Sequence, residues 1–182
     1  GFAFNDLSLT NGTDTTSVAG GFTVNGTLTV NANQTLQFAG NGGSVNAITN
    51  NGVVRLRGDE TVTFPAGIAA SGLVEYYGTG TYANIGTNTP AAYNNLRFDD
   101  GAGTGQWTLD AGIDVAGFLE VSNGTLVDGG NTINAAGAVD LTGGGTTLTG
   151  LLVLDSGAGG QALTSAGETL HDLQIDSGGT VT

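Results

Sequence analysis

The chain has 182 residues, of which 34 are glycine and 38% are hydrophobic, with a formal net charge of −13 and no cysteine. Its 16 acidic side chains against three arginines repel polyanions, so we expect no nucleic-acid partner. The lack of cysteine excludes disulfides and thiolate chemistry, and no apolar run reaches the roughly 20 residues of a membrane-spanning helix, so we expect no membrane insertion.

Two short motifs recur in chain order. The first, called here the Asx motif, reads ring or leucine, then Asn or His, then Asn or Asp, then leucine, any residue and an apolar residue. Its copies are Phe4–Leu9, Tyr93–Phe98 and Leu170–Ile175. The second, called the glycine unit, reads apolar-x-apolar-x-Gly-x-apolar-x-apolar, and its copies are centred on Gly26, Gly52, Gly72, Gly117, Gly137 and Gly150.

The glycine unit predicts a strand, a corner and a second strand. In FTVNGTLTV, the first copy, strict alternation places Phe22, Val24, Leu28 and Val30 on one buried face and the threonines on the other. We expect the central glycine to supply the corner, because it adopts backbone angles that other residues avoid. The intervals from Gly52 to Gly72 and from Gly117 to Gly137 are equal, and their length of roughly 20 residues is typical of one coil of a β-solenoid.

A longer repeat groups these motifs into modules. The segment 72–98 aligns with the segment 150–175, and each ends in an Asx motif. We therefore predict one continuous solenoid over residues 1–182, with a first module at about 1–92, a second at about 93–169 and the start of a third at 170–182. The Asx motif is expected at the same corner of the coil in each module, with Leu7, Leu9, Leu96, Phe98, Leu173 and Ile175 pointing inward.

The predicted fold is all-β, a parallel β-helix of about nine coils of roughly 20 residues each. A β-sandwich of hairpins is the alternative, because Asn-Gly pairs such as Asn25-Gly26 and Asn51-Gly52 suit type I′ turns. Against the sandwich, other glycine units have Ala or Ser before the glycine, and these pairs form poor hairpin turns.

The motifs resemble the repetitive arrays of large secreted bacterial surface proteins, the filamentous-haemagglutinin-like and autotransporter adhesins. The matching positions are Phe4–Leu9, Tyr93–Phe98 and Leu170–Ile175, together with the glycine units. The resemblance covers nearly the whole chain. It implies a right-handed parallel β-helix, export to the extracellular space or cell surface, and a structural or adhesive role.

Acidic turns are the candidates for a cofactor. Asp14, Asp99, Asp100 and Asp176 lie in loops at the same place in each module, and loop carboxylates suit calcium. The repetitive calcium signature GGxGxDx is absent, so calcium is a weak expectation and no other cofactor is expected. Solvated turn residues are the alternative for these acids.

No catalytic residues are expected. Asp99-Asp100 form the densest carboxylate pair, but the basic partner that clustered aspartates need for catalysis is missing, and Arg97 is expected to form a surface ion pair with Asp99. His171, the single histidine, is expected to form hydrogen bonds at a corner. The rings Trp107, Tyr76, Tyr77, Tyr82 and Tyr93 are expected in the core or at coil edges, with a sugar-stacking strip as the alternative.

The terminal coils are expected to expose unpaired strand edges. Either copies stack end to end into a surface filament, or the chain continues in a longer array as the stalk of an adhesin. The sequence therefore predicts a structural or adhesive extracellular solenoid rather than an enzyme. A carbohydrate-binding surface module is the alternative function.

Overall fold

The computed structural model describes residues 1–10, 12–64, 68–86, 91–157, 160–176, 178 and 180–182. The described residues contain strands and turns and no helix. Consequently no helix in this part of the chain is long and apolar enough to cross a membrane.

The strands are short, because polar and glycine-rich turns interrupt the alternating apolar segments. Their bounds are β1 Phe2–Phe4, β2 Leu7–Leu9, β3 Thr15–Ser17, β4 Phe22–Val30, β5 Thr35–Gln37, β6 Gly43–Asn50, β7 Val53–Leu56, β8 Val62–Thr63, β9 Ile68–Tyr76, β10 Thr81–Ile85, β11 Ala92–Phe98, β12 Gln106–Leu109, β13 Ile113–Val115, β14 Leu119–Val121, β15 Thr125–Val127, β16 Ile133–Ala135, β17 Val139–Asp140, β18 Gly145–Leu154, β19 Leu163–Thr164 and β20 Leu170–Ile175.

Each turn of the chain contributes to three faces of a stack. In the second turn these are residues 22–24, residues 27–30 and Thr35–Gln37, which we call the first, second and third faces. Every ladder between the described strands is parallel, and the two strands of each ladder lie one turn apart. The fold is therefore a parallel β-solenoid, as predicted, and the hairpins of a β-sandwich are excluded.

The solenoid has about eight turns, one fewer than the predicted nine. The difference arises because the turns vary in length around the expected value. Thr35 pairs with Val53 across a short turn, whereas Thr81 pairs with Gln106 across a distinctly longer one. Another long turn lies in the second half of the chain, where Val139 pairs with Leu163.

Apolar side chains stack in register to form a continuous core. On the third face the column runs Leu36, Val54, Val74, Leu96, Leu119 and Val139, and all six side chains are buried. Rings stack beside this column: Tyr76 and Phe98 lie parallel with centroids 5.2 Å apart, and Phe98 contacts Trp107 at 5.4 Å. Such in-register stacking removes apolar surface from water in every turn, which is the main stabilising term of the fold.

The predicted inward residues of the first glycine unit are confirmed, because Phe22, Val24, Leu28 and Val30 are all buried. The common position of the three Asx motifs is wrong, however. Register places Leu7 and Leu173 on the second face, but Leu96 on the third.

The prediction that the apolar residues of every Asx motif point inward is confirmed for the second copy and wrong for the third. Leu96 and Phe98 are fully buried, whereas Leu173 and Ile175 are 43% and 56% exposed. They belong to β20, which pairs with β18 on one side and with no other strand among the described residues.

Candidate functional site

The glycines of the glycine units lie where one turn of backbone passes close to the next. A Cβ placed on Gly26, Gly72 or Gly117 would come within 3.0 Å of the Asn or Asp side chain, or the backbone oxygen, of the turn below. The same close approach occurs at Gly52, Gly137 and Gly150. None of these six glycines has a positive φ. The predicted reason for glycine was therefore wrong, since the position requires the absence of a side chain rather than an unusual backbone angle.

The Asx motif binds the glycine unit of the following turn. Gly26 N–H donates to the Asn5 carbonyl at 2.5 Å, and Thr27 N–H donates to Asp6 Oδ1 at 2.7 Å. We call this two-bond arrangement the corner lock. Phe4 pairs with Val24 and Leu7 pairs with Leu28, so the glycine unit has one residue more between its paired positions than the Asx motif has. Because of this extra residue, the backbone of the glycine unit bulges towards the acceptors.

The same corner lock recurs at the second Asx motif. Gly117 N–H donates to the Asn94 carbonyl at 2.6 Å, and Phe118 N–H donates to Asn95 Oδ1 at 3.2 Å. The corner lock at Gly26 lies between the first and second faces, whereas the corner lock at Gly117 lies between the second and third faces. The lock therefore depends on the pairing of an Asx motif with a glycine unit and not on one particular corner.

The third Asx motif has no turn stacked on it in the described residues. Its His171 and Asp172 side chains are 67% and 65% exposed, and His171 Nδ1 lies 3.2 Å from Asp172 Oδ2. This contact lies within the motif, and the expected hydrogen-bonding role of His171 at a corner stays a prediction. With Leu173 and Ile175, these residues form an exposed edge that we call the β20 edge.

The opposite end of the stack is apolar and open. A cleft of about 520 Å³ is lined by the first turn, including Phe2, Phe4, Leu7 and Val18, and by Leu36 of the second turn. Phe2 is 72% exposed. Among the described residues, the large apolar side chains that are exposed, Phe2, Leu173 and Ile175, thus lie in the first turn and in β20.

Buried carboxylates hold other corners together. Asp128 is 2% exposed and accepts hydrogen bonds from the N–H groups of Gly130, Thr149 and Gly150 and from the Thr149 hydroxyl. Burial by itself raises the pKa of Asp128, but these donors outweigh it and hold the pKa below its ordinary value. Asp128 therefore joins two successive turns as an anion.

Glu60 and Gln161 act in the same way at other corners. Glu60 accepts from the N–H groups of Gly40, Arg57 and Gly58, and Gln161 donates to the carbonyls of Ala135 and Gly137. Sequence reasoning missed these residues. The signal for Asp128 was present, since an acid directly after a buried strand and before two glycines favours an Asx turn.

A column of alternating charges runs along the third face. Register aligns Gln37, Arg55, Glu75, Arg97 and Glu120 on successive turns. Arg55 Nε lies 2.7 Å from Glu75, and Arg97 lies 2.8 Å from Glu120 and 3.8 Å from Glu75. The expected ion pair of Arg97 with Asp99 is therefore wrong, because the arginine reaches the turns above and below instead of its own strand.

The calcium candidates lie on different turns. Asp14 precedes β3, Asp99 and Asp100 follow β11, and Asp176 follows β20. Within the described part of the chain, no three His, Cys, Asp or Glu residues come together as a metal site. Calcium binding stays a prediction.

The carboxylate of Asp100 is engaged by its own loop. Its oxygens accept from the N–H groups of Ala102, Gly103, Thr104 and Gly105 and from the Thr104 hydroxyl. Burial by itself raises the pKa of Asp100, but the hydrogen bonds from these donors outweigh burial and hold the pKa below its ordinary value. The Asp99 carboxylate accepts from Gly101 N–H and from Asn123. This pair therefore shapes a turn.

The aromatic residues lie mostly inside the stack. Trp107, Tyr76, Tyr82 and Tyr93 are all buried, and Tyr77, which is partly exposed, lies under the guanidinium of Arg55 at 4.5 Å. The expectation that these rings serve the core is confirmed for the four buried ones, and they do not form a surface strip for sugars.

Comparison of the chain with protein-family models, with curated proteins and with solved structures finds no match in any of the three. Its functional interpretation therefore depends on the geometry of the stack, its corner locks and its exposed edges.

Proposed function

We propose that this chain is a rigid structural segment of an extracellular surface protein, in the manner of an adhesin stalk. The observation that carries the proposal is the unbroken apolar column of the third face, in which Leu36, Val54, Val74, Leu96, Leu119 and Val139 lie on successive turns. A column of this kind couples each turn to its neighbours along one axis, which suits a spacer.

Polar links along the axis support the same role. The corner locks, Asp128 and the charge column each join one turn to the next. A stack stretched along its axis has to break many such bonds together with the parallel ladders. The resemblance of the motifs to adhesin arrays supports an extracellular location, and the acidic surface suits a soluble rod.

A stalk is favoured over a filament of identical subunits. In such a filament the first turn of one copy would lie on the β20 edge of another. The first turn has Asn5 and Asp6 at the corner where the second turn has its glycine unit, so Asp6 would face Asp172. Two carboxylates without a donor between them repel each other, and the corner lock is lost.

Single-molecule force spectroscopy tests the proposal. The chain is held through tags at its two termini and stretched at constant speed. A structural spacer of about eight turns, with a rise of about 4.8 Å per turn, is expected to keep a length of about 40 Å and then unfold in cooperative steps. Smooth extension at low force, without steps, would contradict the role of a rigid spacer.

The purified chain is also applied to a glycan array. A structural spacer is expected to give no saturable binding. Specific binding that competes with free sugar would favour the carbohydrate-binding alternative over the stalk.

A further inference from the structure

We propose that the solenoid has a hinge between its fourth and fifth turns, where the first face opens while the second and third faces stay paired, and that the Trp107 indole is the latch that holds it closed. The fourth turn contains β8 and β9, and the fifth contains β10 and β11. The hinge lies inside the stack, with paired turns below and above it, and it does not depend on the proposed stalk function.

The ladder of the first face is interrupted at this level. Below it β8 pairs with β6, and above it β10 pairs with β12. Among the described strands, β8 and β10 share no ladder, and each ends a separate sheet. Each of the two strands therefore has one edge of backbone N–H and C=O groups without a partner strand at this level.

The other two faces are paired across the same level. On the second face Ile68 pairs with Tyr93, and on the third face Val74 pairs with Leu96. Separation of β8 from β10 therefore breaks no ladder, whereas separation on either of the other faces breaks one. We expect the stack to open on the first face, with the paired second and third faces as the axis of the hinge.

A polar cleft of about 250 Å³ lies at the interruption. It is lined from below by residues 58–61, which lead into β8, and from above by residues 81–84. The side chains of Asp59, Thr61 and Thr81 in this lining are exposed. Because the surfaces that separate are polar and reached by water, opening of the cleft exposes little apolar area and costs little free energy.

Ring contacts hold the first face together in place of a ladder. Trp107 Nε1 donates to the Arg57 carbonyl at 2.9 Å. Trp107 lies in β12 of the sixth turn, whereas Arg57 precedes β8, so this hydrogen bond passes the fifth turn. The rings of Tyr82 and Trp107 also lie against the backbone of Gly58, since a Cβ there would come within 3.0 Å of either side chain. Contacts of this kind can separate without the loss of a ladder.

Each side of the cleft is tied to its own part of the stack. Below, the Glu60 carboxylate accepts hydrogen bonds from the N–H groups of Arg57 and Gly58 and from Gly40 of the preceding turn. Above, Gln106 N–H donates to the Gly80 carbonyl at 2.8 Å and holds the start of β10 to β12. The two sides therefore move with different halves of the solenoid, and the indole bond joins them.

Hydrogen exchange of the indole N–H tests the proposal. The chain has one tryptophan, so this group gives a single assigned NMR signal. The reference is Asp99 N–H, which donates to the Tyr76 carbonyl at 2.8 Å across the same level on the third face. After correction for intrinsic exchange rates, we expect protection of the indole to be at least about tenfold lower than that of Asp99. Low concentrations of urea are expected to leave the indole rate nearly unchanged, because local opening exposes little surface.

Two matched variants locate the opening. Tyr82→Leu removes a ring that lies against Gly58, and it is expected to lower the protection of the indole by a further factor of about ten. Tyr77→Leu is the control, because this ring lies under the Arg55 guanidinium and does not line the cleft. We expect the control to change the protection of the indole by less than about threefold. The protection of Asp99 reports that both variants remain folded.

Two results would overturn the proposal. The first is equal protection of the indole and Asp99 with the same dependence on urea, because the latch would then open only when the whole stack unfolds. The second is an equal effect of Tyr82→Leu and Tyr77→Leu on the indole, which would place the opening away from the cleft. A stack without a hinge would still serve as a spacer, so neither result bears on the stalk function.

Discussion

Replacement of Gly117 by alanine tests the close packing of turns at the corner lock. A Cβ at this position would lie 2.7 Å from the Asn94 carbonyl oxygen and closer still to Asn95 Oδ1. The turn above has to move away, which lengthens the hydrogen bonds that Gly117 N–H and Phe118 N–H donate. Because the neighbour on one side is backbone, the strain is not relieved by a rotamer change.

The expected cost follows from two contributions. Overpacking of a well-packed site costs about 1–3 kcal/mol, and each weakened hydrogen bond costs about 0.5–1.5 kcal/mol. We therefore expect the Gly117→Ala variant to lose about 3 kcal/mol of unfolding free energy. In a chain of 182 residues this corresponds to a fall in melting temperature of about 6–12 °C.

Urea denaturation followed by the fluorescence of Trp107 measures this cost, because the indole is buried beside the affected turns. The matched control is Gly157→Ala, at a glycine that has no heavy atom within 4 Å of the added Cβ and no positive φ. We expect this control to change stability by less than about 0.5 kcal/mol. If the two variants were equally stable, close approach would not be the reason for glycine in these units.

Three further substitutions test other parts of the stack. Arg97→Gln removes ion pairs to two neighbouring turns and is expected to lower the free energy of unfolding, measured in urea, by about 1 kcal/mol at low salt and by less at high salt. Arg57→Gln, at an exposed ion pair, is the control and is expected to have no measurable effect. Equal effects of the two variants would refute the charge column. Leu96→Ala is expected to cost about 3 kcal/mol because the side chain is fully buried, and Leu173→Ala at the equivalent motif position less than about 1 kcal/mol; similar losses would contradict the exposed β20 edge. Asp128→Asn is expected to cost about 2 kcal/mol at pH 7, because one acceptor becomes a donor facing N–H groups. The lowered pKa of Asp128 means that its contribution is present above the ordinary value of 3.8 and is lost as the pH falls below it, so the difference between parent and variant should shrink in acid, and a constant difference would refute the anionic role.

The parallel stack was predictable because its signal is local and repeated. Alternation in FTVNGTLTV identifies the buried residues, and two equal glycine intervals indicate the length of a turn. The predicted number of turns was less accurate, because the turns differ in length. The longer connection between Leu154 and Leu163 does not change the alternation in the strands on either side of it, so the pattern does not reveal the extra length.

The contacts between turns were not predictable in the same way. A position can require glycine for a positive φ or because a neighbouring turn leaves no room for a side chain. The second reason depends on the register between turns, and the sequence alone does not give that register. For this reason the unusual backbone angle expected at Gly117 is wrong. The expected pair of Arg97 with Asp99 fails for the same reason, because the partners of the arginine, Glu75 and Glu120, lie on the neighbouring turns rather than on its own strand.

The Asx motif shows both the value and the limit of sequence reasoning. The leucines of its three copies were correctly placed on strands, after a pair of polar residues that in the second and third copies lies within the strand itself. The three copies have similar sequences but do not occupy the same corner of the coil. The middle copy begins on the second face, whereas the other two begin on the first face. What the copies share is the pattern of acceptors offered to the next turn.

The corner lock itself is most directly tested by NMR scalar couplings through hydrogen bonds, which connect a donor nitrogen to the acceptor carbonyl carbon. We expect cross-peaks from Gly26 N to the Asn5 carbonyl carbon and from Gly117 N to the Asn94 carbonyl carbon, since these bonds measure 2.5 Å and 2.6 Å. Couplings that instead join the two halves of one glycine unit, as in a hairpin, would contradict the stacked turns.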